Sequence, residues 1–233
     1  DLHSFPTRRS SDLHIDPDAE TQKILNDVAG EAHAWLDAQY EGIFTPFNEG
    51  MHWGLPASPA VIEGLQTDFA KPDDYPVDGR AITYSMAYFS AKHLGAGQFY
   101  LMTIRDKDGQ SFDGGSTYRL VVPAKAPVKL YWSATAYDRA THALIRGQKW
   151  SSRASNTPGL QQNADGSVEI YFGPNAPVGK ESNWVPTSAA GQFEVLFRLY
   201  GPEKPFFDKI WVLPDIEKVA YMEIGRASCR ERV

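Results

Sequence analysis

The second half of the chain is a series of short β-type runs, and this pattern constrains the fold more than any other feature. From about Gln98, runs rich in β-branched and aromatic residues are separated by Gly, Pro, Asn and Asp turn signals. The runs are QFYLMTIRD, STYRLVVP, PVKLYWSATAYD, SVEIYFGP and QFEVLFRLYGP. Short strands at a spacing of roughly ten residues are typical of antiparallel sandwiches and barrels. We therefore predict an antiparallel β-sandwich over residues 98–222.

The segment before these runs has helical spacing instead. Asp16-Pro17 is a helix-start signal, and the first helix is expected to continue through about Gln39. Its apolar residues recur every three or four positions and are Ile24, Leu25, Val28, Ala32, Trp35 and Leu36. Ser58-Pro59 predicts a second helix that ends near Phe69.

A third helix is predicted from Arg80 to His93, opened by Asp78-Gly79 and closed by Gly95. Residues 14–97 are therefore interpreted as a helical connector region that precedes the β-sandwich. The expected fold class is α+β.

The two ends of the chain can be encoded by one DNA sequence that is read on opposite strands. Residues 3–13 read HSFPTRRSSDL and residues 223–233 read EIGRASCRERV. One choice of eleven codons for the first segment has a reverse complement that encodes the second without a mismatch. We interpret both segments as translated sequencing adapter and expect residues 1–13 and 223–233 to lie outside the natural fold. The natural portion is then at most 14–222 and is expected to be a fragment of a longer protein.

Composition excludes several classes of partner and site. Net charge is −6 (23 − 29), or −7 (18 − 25) without the two ends, and no basic run occurs, so nucleic acid and anionic membranes are not expected partners. No apolar run approaches the roughly 20 residues needed to span a bilayer. The one cysteine, Cys229, lies in the adapter-like end, so we expect no disulfide, thiolate nucleophile or cysteine metal ligand.

Between about Ser116 and Glu217 the chain carries a series of short aromatic motifs. They are TYRL, WSATAYD at Trp132–Asp138, NADGS at Asn163–Ser167, YFGP at Tyr171–Pro174, ESNWVPT at Glu181–Thr187, FRLYGP at Phe197–Pro202 and WVLPDIE at Trp211–Glu217. In order and spacing this segment resembles the bacterial domain-of-unknown-function family 1214, which commonly follows family 1254 in one polypeptide. The resemblance implies a jelly-roll β-sandwich in a periplasmic or secreted protein, often a homo-oligomer. It also implies that an N-terminal family 1254-like domain is missing here, and it supplies no catalytic residues.

The loop from Lys180 to Trp184 is the first candidate site. Glu181 and Asn183 beside the Trp184 indole could hold a glycan, because an indole stacks on an apolar sugar face while polar groups fix hydroxyls. The alternative is structural: Trp184 closes the edge of the sandwich, and the polar residues satisfy backbone groups of the loop.

Two arginines inside apolar strands form the second candidate. Counting by twos places Arg198 on the face of its strand opposite Val195, Phe197 and Leu199, where it could line a wet cavity with Tyr137 and Tyr171. A structural ion pair with Asp138 or Glu169 is the favoured alternative. If Arg119 and Arg198 converge, they would suit a carboxylate or another anionic ligand.

Asp138 and His142 are the remaining acid/base candidates, together with Glu181. His142 lies four residues after Asp138 and could pair with it on a turn, but no serine stands in a nucleophile motif. The histidine spacing matches no metal motif, and Asp106, Asp108 and Asp113 are better explained by turns than by calcium. We expect no metal and no cofactor.

Two functions remain open from the sequence. The first is a ligand-binding or assembly module, which is slightly favoured for this fragment. The second is part of an envelope or secreted enzyme that acts on a glycan or a small acidic compound through Glu181, Asp138 or His142. A jelly roll serves both purposes, so the fold does not decide between them.

Overall fold

A computed structural model of the chain describes residues 16–55, 57–67, 70, 76–87 and 97–219. The chain divides after Gly42 into two compact units, residues 1–42 and residues 43–233. The adapter-like ends lie outside the described residues. The described helices are α1 (Ala19–Gly42), α2 (Pro59–Gln66), α3 (Val77–Ala87) and α4 (Lys204–Phe207).

Helix α1 makes up the described part of the first unit. Asp18 caps it, because the Thr21 backbone N–H donates to Asp18 Oδ1 at 2.8 Å, whereas the sequence pattern predicted a start at Asp16-Pro17. The helix continues to Gly42, three residues past its predicted end. The predicted apolar stripe is largely exposed, at Ile24, Leu25, Val28 and Trp35.

The other predicted helices are found with shifted bounds. Helix α2 begins at Pro59 as predicted, with Ser58 Oγ accepting the Val61 N–H at 3.3 Å. Helix α3 begins at Val77, three residues before the predicted start at Arg80. The predicted ends of the second and third helices lie outside the described residues.

The strands form two sheets within the second unit. They are β1 (Thr45–Pro46), β2 (Gly54–Leu55), β3 (Gln98–Thr103), β4 (Tyr118–Val122), β5 (Val128–Asp138), β6 (Ser152–Ala154), β7 (Val168–Gly173), β8 (Trp184–Pro186), β9 (Phe193–Pro202) and β10 (Glu217–Lys218). Among the described residues, one sheet has the order β1-β2-β3-β9-β5-β6 and the other has the order β10-β4-β7-β8. All neighbours are antiparallel except β7 and β8. The described chain is thus α+β, with an N-terminal helix followed by mostly antiparallel sheets.

One hydrophobic core joins the two sheets. On β9 the side chains of Val195, Phe197 and Leu199 are buried in it, as the period of two predicts. Phe197 stacks on Trp132 of β5 with ring centroids 5.5 Å apart. Leu120 on β4 and Ile170 on β7 reach the same core from the four-stranded sheet. Each sheet therefore has a core face, and residues of opposite parity lie on its outer face.

Two short strands lie outside the predicted β-type runs. Ser152–Ala154 pairs with β5 as an edge strand. Trp184–Pro186 lies in the candidate loop and pairs with β7 in parallel. Pro186 fits there because β8 is an edge strand, where a missing N–H costs no ladder hydrogen bond. Both strands are only three residues long, so they carry little periodic signal.

The predicted boundary at 97/98 does not separate helices from sheet. Strands β1 and β2 precede Gln98, and Gly54 of β2 pairs with Met102 of β3. The six-stranded sheet therefore includes a part of the region that the sequence assigned to the connector.

Candidate functional site

Arg198 is the centre of the first polar cluster, on the outer face of the six-stranded sheet. Its Nη1 donates to Thr135 Oγ1 at 3.0 Å, and its Nη2 donates to the Tyr137 hydroxyl. Its guanidinium carbon lies 5.5 Å from the ring centroid of Tyr100 and 5.6 Å from that of Tyr137. We call Tyr100, Thr135, Tyr137 and Arg198 the Arg198 cluster. It holds a cation between two aromatic rings and two neutral hydroxyls.

Arg198 forms no ion pair with a carboxylate among the described residues. The predicted partners are used elsewhere. Asp138 Oδ1 accepts the N–H and the hydroxyl of Thr141 at 2.9 and 2.8 Å, and Glu169 lies on the other sheet. The predicted ion pair of Arg198 is therefore wrong. The two hydroxyls accept one hydrogen bond each from Arg198, but they are neutral and leave its positive charge uncompensated.

A histidine and a carboxylate form a second pair on the same sheet face. Nδ1 of His142 lies 3.2 and 3.3 Å from the two carboxylate oxygens of Glu194, whose side chain is almost fully buried. Glu194 is the Cα partner of Tyr137, which places the His142–Glu194 pair beside the Arg198 cluster. The predicted Asp138–His142 pair exists only in the backbone, where the His142 N–H donates to the Asp138 carbonyl at 2.8 Å.

The turn that carries His142 explains why its partner is Glu194. His142 has a φ of +52°, in the left-handed region, as the residue that closes the turn after Asp138. The Asp138 carboxylate accepts hydrogen bonds from Thr141 within the same turn. The turn therefore keeps the side chains of Asp138 and His142 apart, although their spacing in the sequence indicates that they could pair.

Arg119 and Tyr171 belong to a different network, on the outer face of the four-stranded sheet. Arg119 Nη1 donates to Glu169 Oε1 at 3.1 Å, and its Nε donates to Glu217 Oε1 at 2.9 Å. Lys107 Nζ lies 3.0 Å from Glu217 Oε2, and Lys180 Nζ lies 3.4 Å from Glu169 Oε2. Charges of opposite sign thus alternate across β10, β4 and β7. Arg119 therefore forms structural ion pairs with Glu169 and Glu217, and a pair with Glu169 is the alternative predicted for the strand arginines.

Tyr171 is the neutral member of this network. Its hydroxyl donates to Glu169 Oε2 at 2.9 Å, and its side chain is buried on the outer face. Burial, followed by the negative charge of Glu169, raises the pKa of Tyr171 well above the ordinary tyrosine value of 10.0. Tyr171 is therefore a hydrogen-bond donor at neutral pH and is not a base.

The loop from Lys180 to Trp184 closes the edge of the four-stranded sheet. Asn183 is buried, with Oδ1 accepting the Gln161 N–H at 2.8 Å and Nδ2 donating to the carbonyls of Gln161 and Glu169 at 2.9 and 2.8 Å. The Trp184 indole N–H donates to the Gly173 carbonyl at 2.8 Å. Glu181 is exposed, and its Oε1 accepts the Gly179 N–H at 3.1 Å. These contacts match the structural alternative for the loop.

The predicted site residues therefore fall into separate groups. Arg119, Tyr171 and Lys180 share the network on the four-stranded sheet, while Arg198 and Tyr137 lie on the outer face of the other sheet. The two arginines do not converge on one pocket. Only His142, of the three acid/base candidates, shares a sheet face with Arg198.

Several polar residues of these groups were not singled out from the sequence, among them Glu194, Thr135 and Glu217. Glu194 and Thr135 have the parity that places them on the Arg198 face, so a count by twos along β9 and β5 could have found them. Glu217 had no such signal, because its strand is two residues long. The carboxylates of Asp106 and Asp113 accept turn N–H groups, as at Asp108 and Gly115 (both 3.0 Å), which is the predicted turn chemistry.

Neither a metal-ligand group nor a helix that could span a membrane is found in the described part of the chain. No group of three or more His, Cys, Asp or Glu side chains there could hold a metal ion. None of the described helices combines the length and the apolar character needed to cross a bilayer.

Comparison with known proteins identifies the β-rich part of the chain. The chain is similar over 64% of its length to the VPA0106 protein of Vibrio parahaemolyticus, at 23% identity and a TM-score of 0.49. An uncharacterised protein of Burkholderia cenocepacia is similar over 54% of the chain, at 15% identity and a TM-score of 0.42. The chain spans 36% and 31% of the lengths of these two solved structures, and no curated protein matches it. The family model of DUF1214, a protein family of unknown function, matches residues 97–204, so this part of the chain is a DUF1214 domain.

Proposed function

We propose that the two sheets form a jelly-roll sandwich that serves as a binding module for a small anionic ligand. The observation that carries this proposal is the guanidinium of Arg198, half-buried inside a sheet and bonded only to neutral hydroxyls among the described residues. A charge held in this way attracts an anion, because partial burial weakens the screening that water would otherwise supply.

The cluster has the parts that recognition of a carboxylate requires. The planar guanidinium presents parallel N–H groups that match two carboxylate or phosphate oxygens, and hydrogen bonds to ionised oxygens are roughly twice as strong as those to neutral ones. The hydroxyls of Thr135 and Tyr137 can each donate their hydrogen to the anion while their oxygens still accept from Arg198. The rings of Tyr100 and Tyr137 would contact an apolar part of the ligand.

Titration with anions tests this proposal. Calorimetry with acetate, citrate, phosphate and glucuronate, with glucose as the neutral control, should show binding of at least one anion and no binding of glucose. Arg198→Gln should weaken that binding by about tenfold or more, because a charged hydrogen bond contributes roughly 1.5–3 kcal/mol. Arg146→Gln is the matched control, since Arg146 is exposed and lies outside the cluster. Equal affinities for the wild type and Arg198→Gln would contradict the proposal.

A second candidate function is enzymatic, favoured by the His142–Glu194 pair on the same sheet face. A carboxylate that accepts Nδ1–H leaves Nε2 as the basic nitrogen of a neutral imidazole, which is the arrangement of a histidine general base. Arg198 would then anchor an acidic substrate or the acidic group of a glycan. Asp138 and Glu181 are weaker acid/base candidates, because each carboxylate caps its own loop.

Kinetics separate the two candidates. If the domain is part of an enzyme, His142→Gln should remove turnover of a small acid ester or glycan, and Arg198→Gln should mainly raise KM. A chain that binds an anion through Arg198 but turns over none of these compounds would be a binding module alone. Because the chain spans only a part of its relatives, the flanking genomic sequence should be recovered and the complete protein assayed in parallel.

The resemblance stated for the sequence supports three further parts of the proposal. The intact protein is proposed to be periplasmic or secreted, to carry a family 1254-like domain before this one, and to form a homo-oligomer. Recovery of the upstream coding sequence tests the first two, through a signal peptide and the missing domain. Light scattering of the complete protein tests the third, and a monomer at micromolar concentration would contradict it.

A further inference from the structure

Arg153 is a buried arginine at the opposite face of the six-stranded sheet from the half-buried Arg198. It lies on edge strand β6, and its Cα partner is Ala134, which is buried in the core. Only 7% of its surface is exposed. Arg153 therefore points to the core side of the sheet edge, close to the loop that precedes β8.

The contacts of Arg153 leave its charge uncompensated within the described part of the chain. Its guanidinium carbon lies 3.9 Å from the ring centroid of Trp150, and Nη2 donates to the Glu181 carbonyl at 3.2 Å. Nη1 lies 3.4 Å from the Ser152 carbonyl, and the buried Nε–H has no acceptor. The other charge close to the Trp150 ring is also positive, since Lys149 Nζ lies 4.8 Å from the ring centroid.

This arrangement is costly unless an anion completes it. Burial lowers the pKa of the Arg153 guanidinium, but arginine stays protonated in proteins. A buried charged donor without an acceptor loses its hydration and gains no bond in return. The Nε–H lies on the edge of the guanidinium that can present two parallel donors to an oxyanion.

We propose that Arg153 is a second anion site, for a small carboxylate or phosphate ion, and that the Trp150 indole is its cover. Trp150 is half-buried and its ring lies against the guanidinium. Outward movement of the ring is the proposed route by which an ion reaches the Nε–H. The ring is held by a hydrogen bond from its indole N–H to the Trp184 carbonyl at 2.8 Å and by an edge contact with the Trp184 ring, with centroids 5.9 Å apart. The site is separate from the Arg198 cluster, because the two arginines lie on opposite faces of the sheet.

Tryptophan fluorescence of the full chain, titrated with sodium phosphate and with sodium acetate at constant ionic strength, tests the proposal. Movement of Trp150 away from Arg153 should give a saturable change in emission with at least one ion. Arg153→Gln should raise the midpoint by about tenfold or more. Trp150→Phe should remove the emission change, whereas Arg146→Gln should leave both the change and its midpoint as in the wild type.

The wild type alone gives a second measurement, in case Arg153→Gln fails to fold. The ¹⁵N-correlated Nε–H signal of Arg153 should shift on addition of the ion that changes the fluorescence, with the same midpoint. A lower midpoint concentration for phosphate than for acetate would assign a phosphate ligand. A lower midpoint concentration for acetate would assign a carboxylate ligand. Absence of a saturable response to both ions, or an unshifted Arg153 signal at saturation, would overturn the proposal.

Discussion

The Tyr171 hydroxyl donates a hydrogen bond to Oε2 of Glu169, 2.9 Å away and two positions earlier on the same strand. Residues two apart on a strand share a face, so this bond lies along the outer face of the four-stranded sheet. It connects a buried tyrosine to the carboxylate that also pairs with Arg119 and Lys180. The ion network thereby depends on a neutral phenol, which makes its stability sensitive to alkaline pH.

We predict that Tyr171→Phe weakens the alkaline loss of stability. The pKa of Tyr171 is raised in the folded state, so its contribution is fully present below the unfolded value of 10.0 and is lost as the pH rises through the folded value. Urea unfolding between about pH 8 and pH 11 should therefore show a smaller fall in the free energy of unfolding for Tyr171→Phe than for the wild type. Identical slopes for Tyr171→Phe and the wild type would contradict this.

Asn183→Ala should be strongly destabilising. Asn183 is 1% exposed, and its amide makes three hydrogen bonds to the backbone of Gln161 and Glu169. Its loss leaves buried backbone groups without partners, so we expect a decrease of about 2–4 kcal/mol in the free energy of unfolding. Asn183→Asp should be at least as harmful, because a carboxylate would face two carbonyl oxygens. Gln161→Ala is the control: its exposed side chain donates only to the Gly179 carbonyl, so a loss as large as that of Asn183→Ala would refute the argument.

Gly114→Ala should disturb the contact between two turns at one end of the sheets. A Cβ atom at Gly114 would lie 1.9 Å from the Ser188 carbonyl oxygen and 3.1 Å from that of Gly191. Backbone has to move to relieve such an overlap, so we expect a loss of about 3 kcal/mol or more in the free energy of unfolding. The measurement is the urea midpoint. Gly97→Ala, whose Cβ would meet no atom within 4 Å, should stay near the wild type.

Removal of residues 1–13 and 223–233 should leave the thermal midpoint unchanged. Both ends are predicted from the sequence to be translated adapter, and a sequence of that origin would not have been selected to pack against the natural fold. Differential scanning fluorimetry of the truncated and full chains checks this. A shift of several degrees in the midpoint would show that these tails contribute to the fold.

The periodic runs of the sequence were sufficient to predict where the main strands lie. They were also sufficient to predict which side of β9 faces the core. Arg198 illustrates this: its parity opposite Val195, Phe197 and Leu199 was readable from the chain, and the structure confirms it. The short strands β6 and β8 were not predictable, because three residues do not establish a period and because β8 exists only where β7 offers a partner. The motif series likewise identified the DUF1214 domain.

The α+β class and the parity of the β9 residues follow from local propensity and from spacing along one strand, and the match of residues 97–204 to DUF1214 follows from the motif series. The folded arrangement of the strands decides which charges meet. It paired Arg119 with Glu169 and Glu217, paired His142 with Glu194 and gave Arg198 hydroxyl partners. Glu217 is 98 positions from Arg119, and Glu194 is 52 positions from His142. Contacts over such separations follow from strand order and register, which one sequence does not encode as a readable pattern.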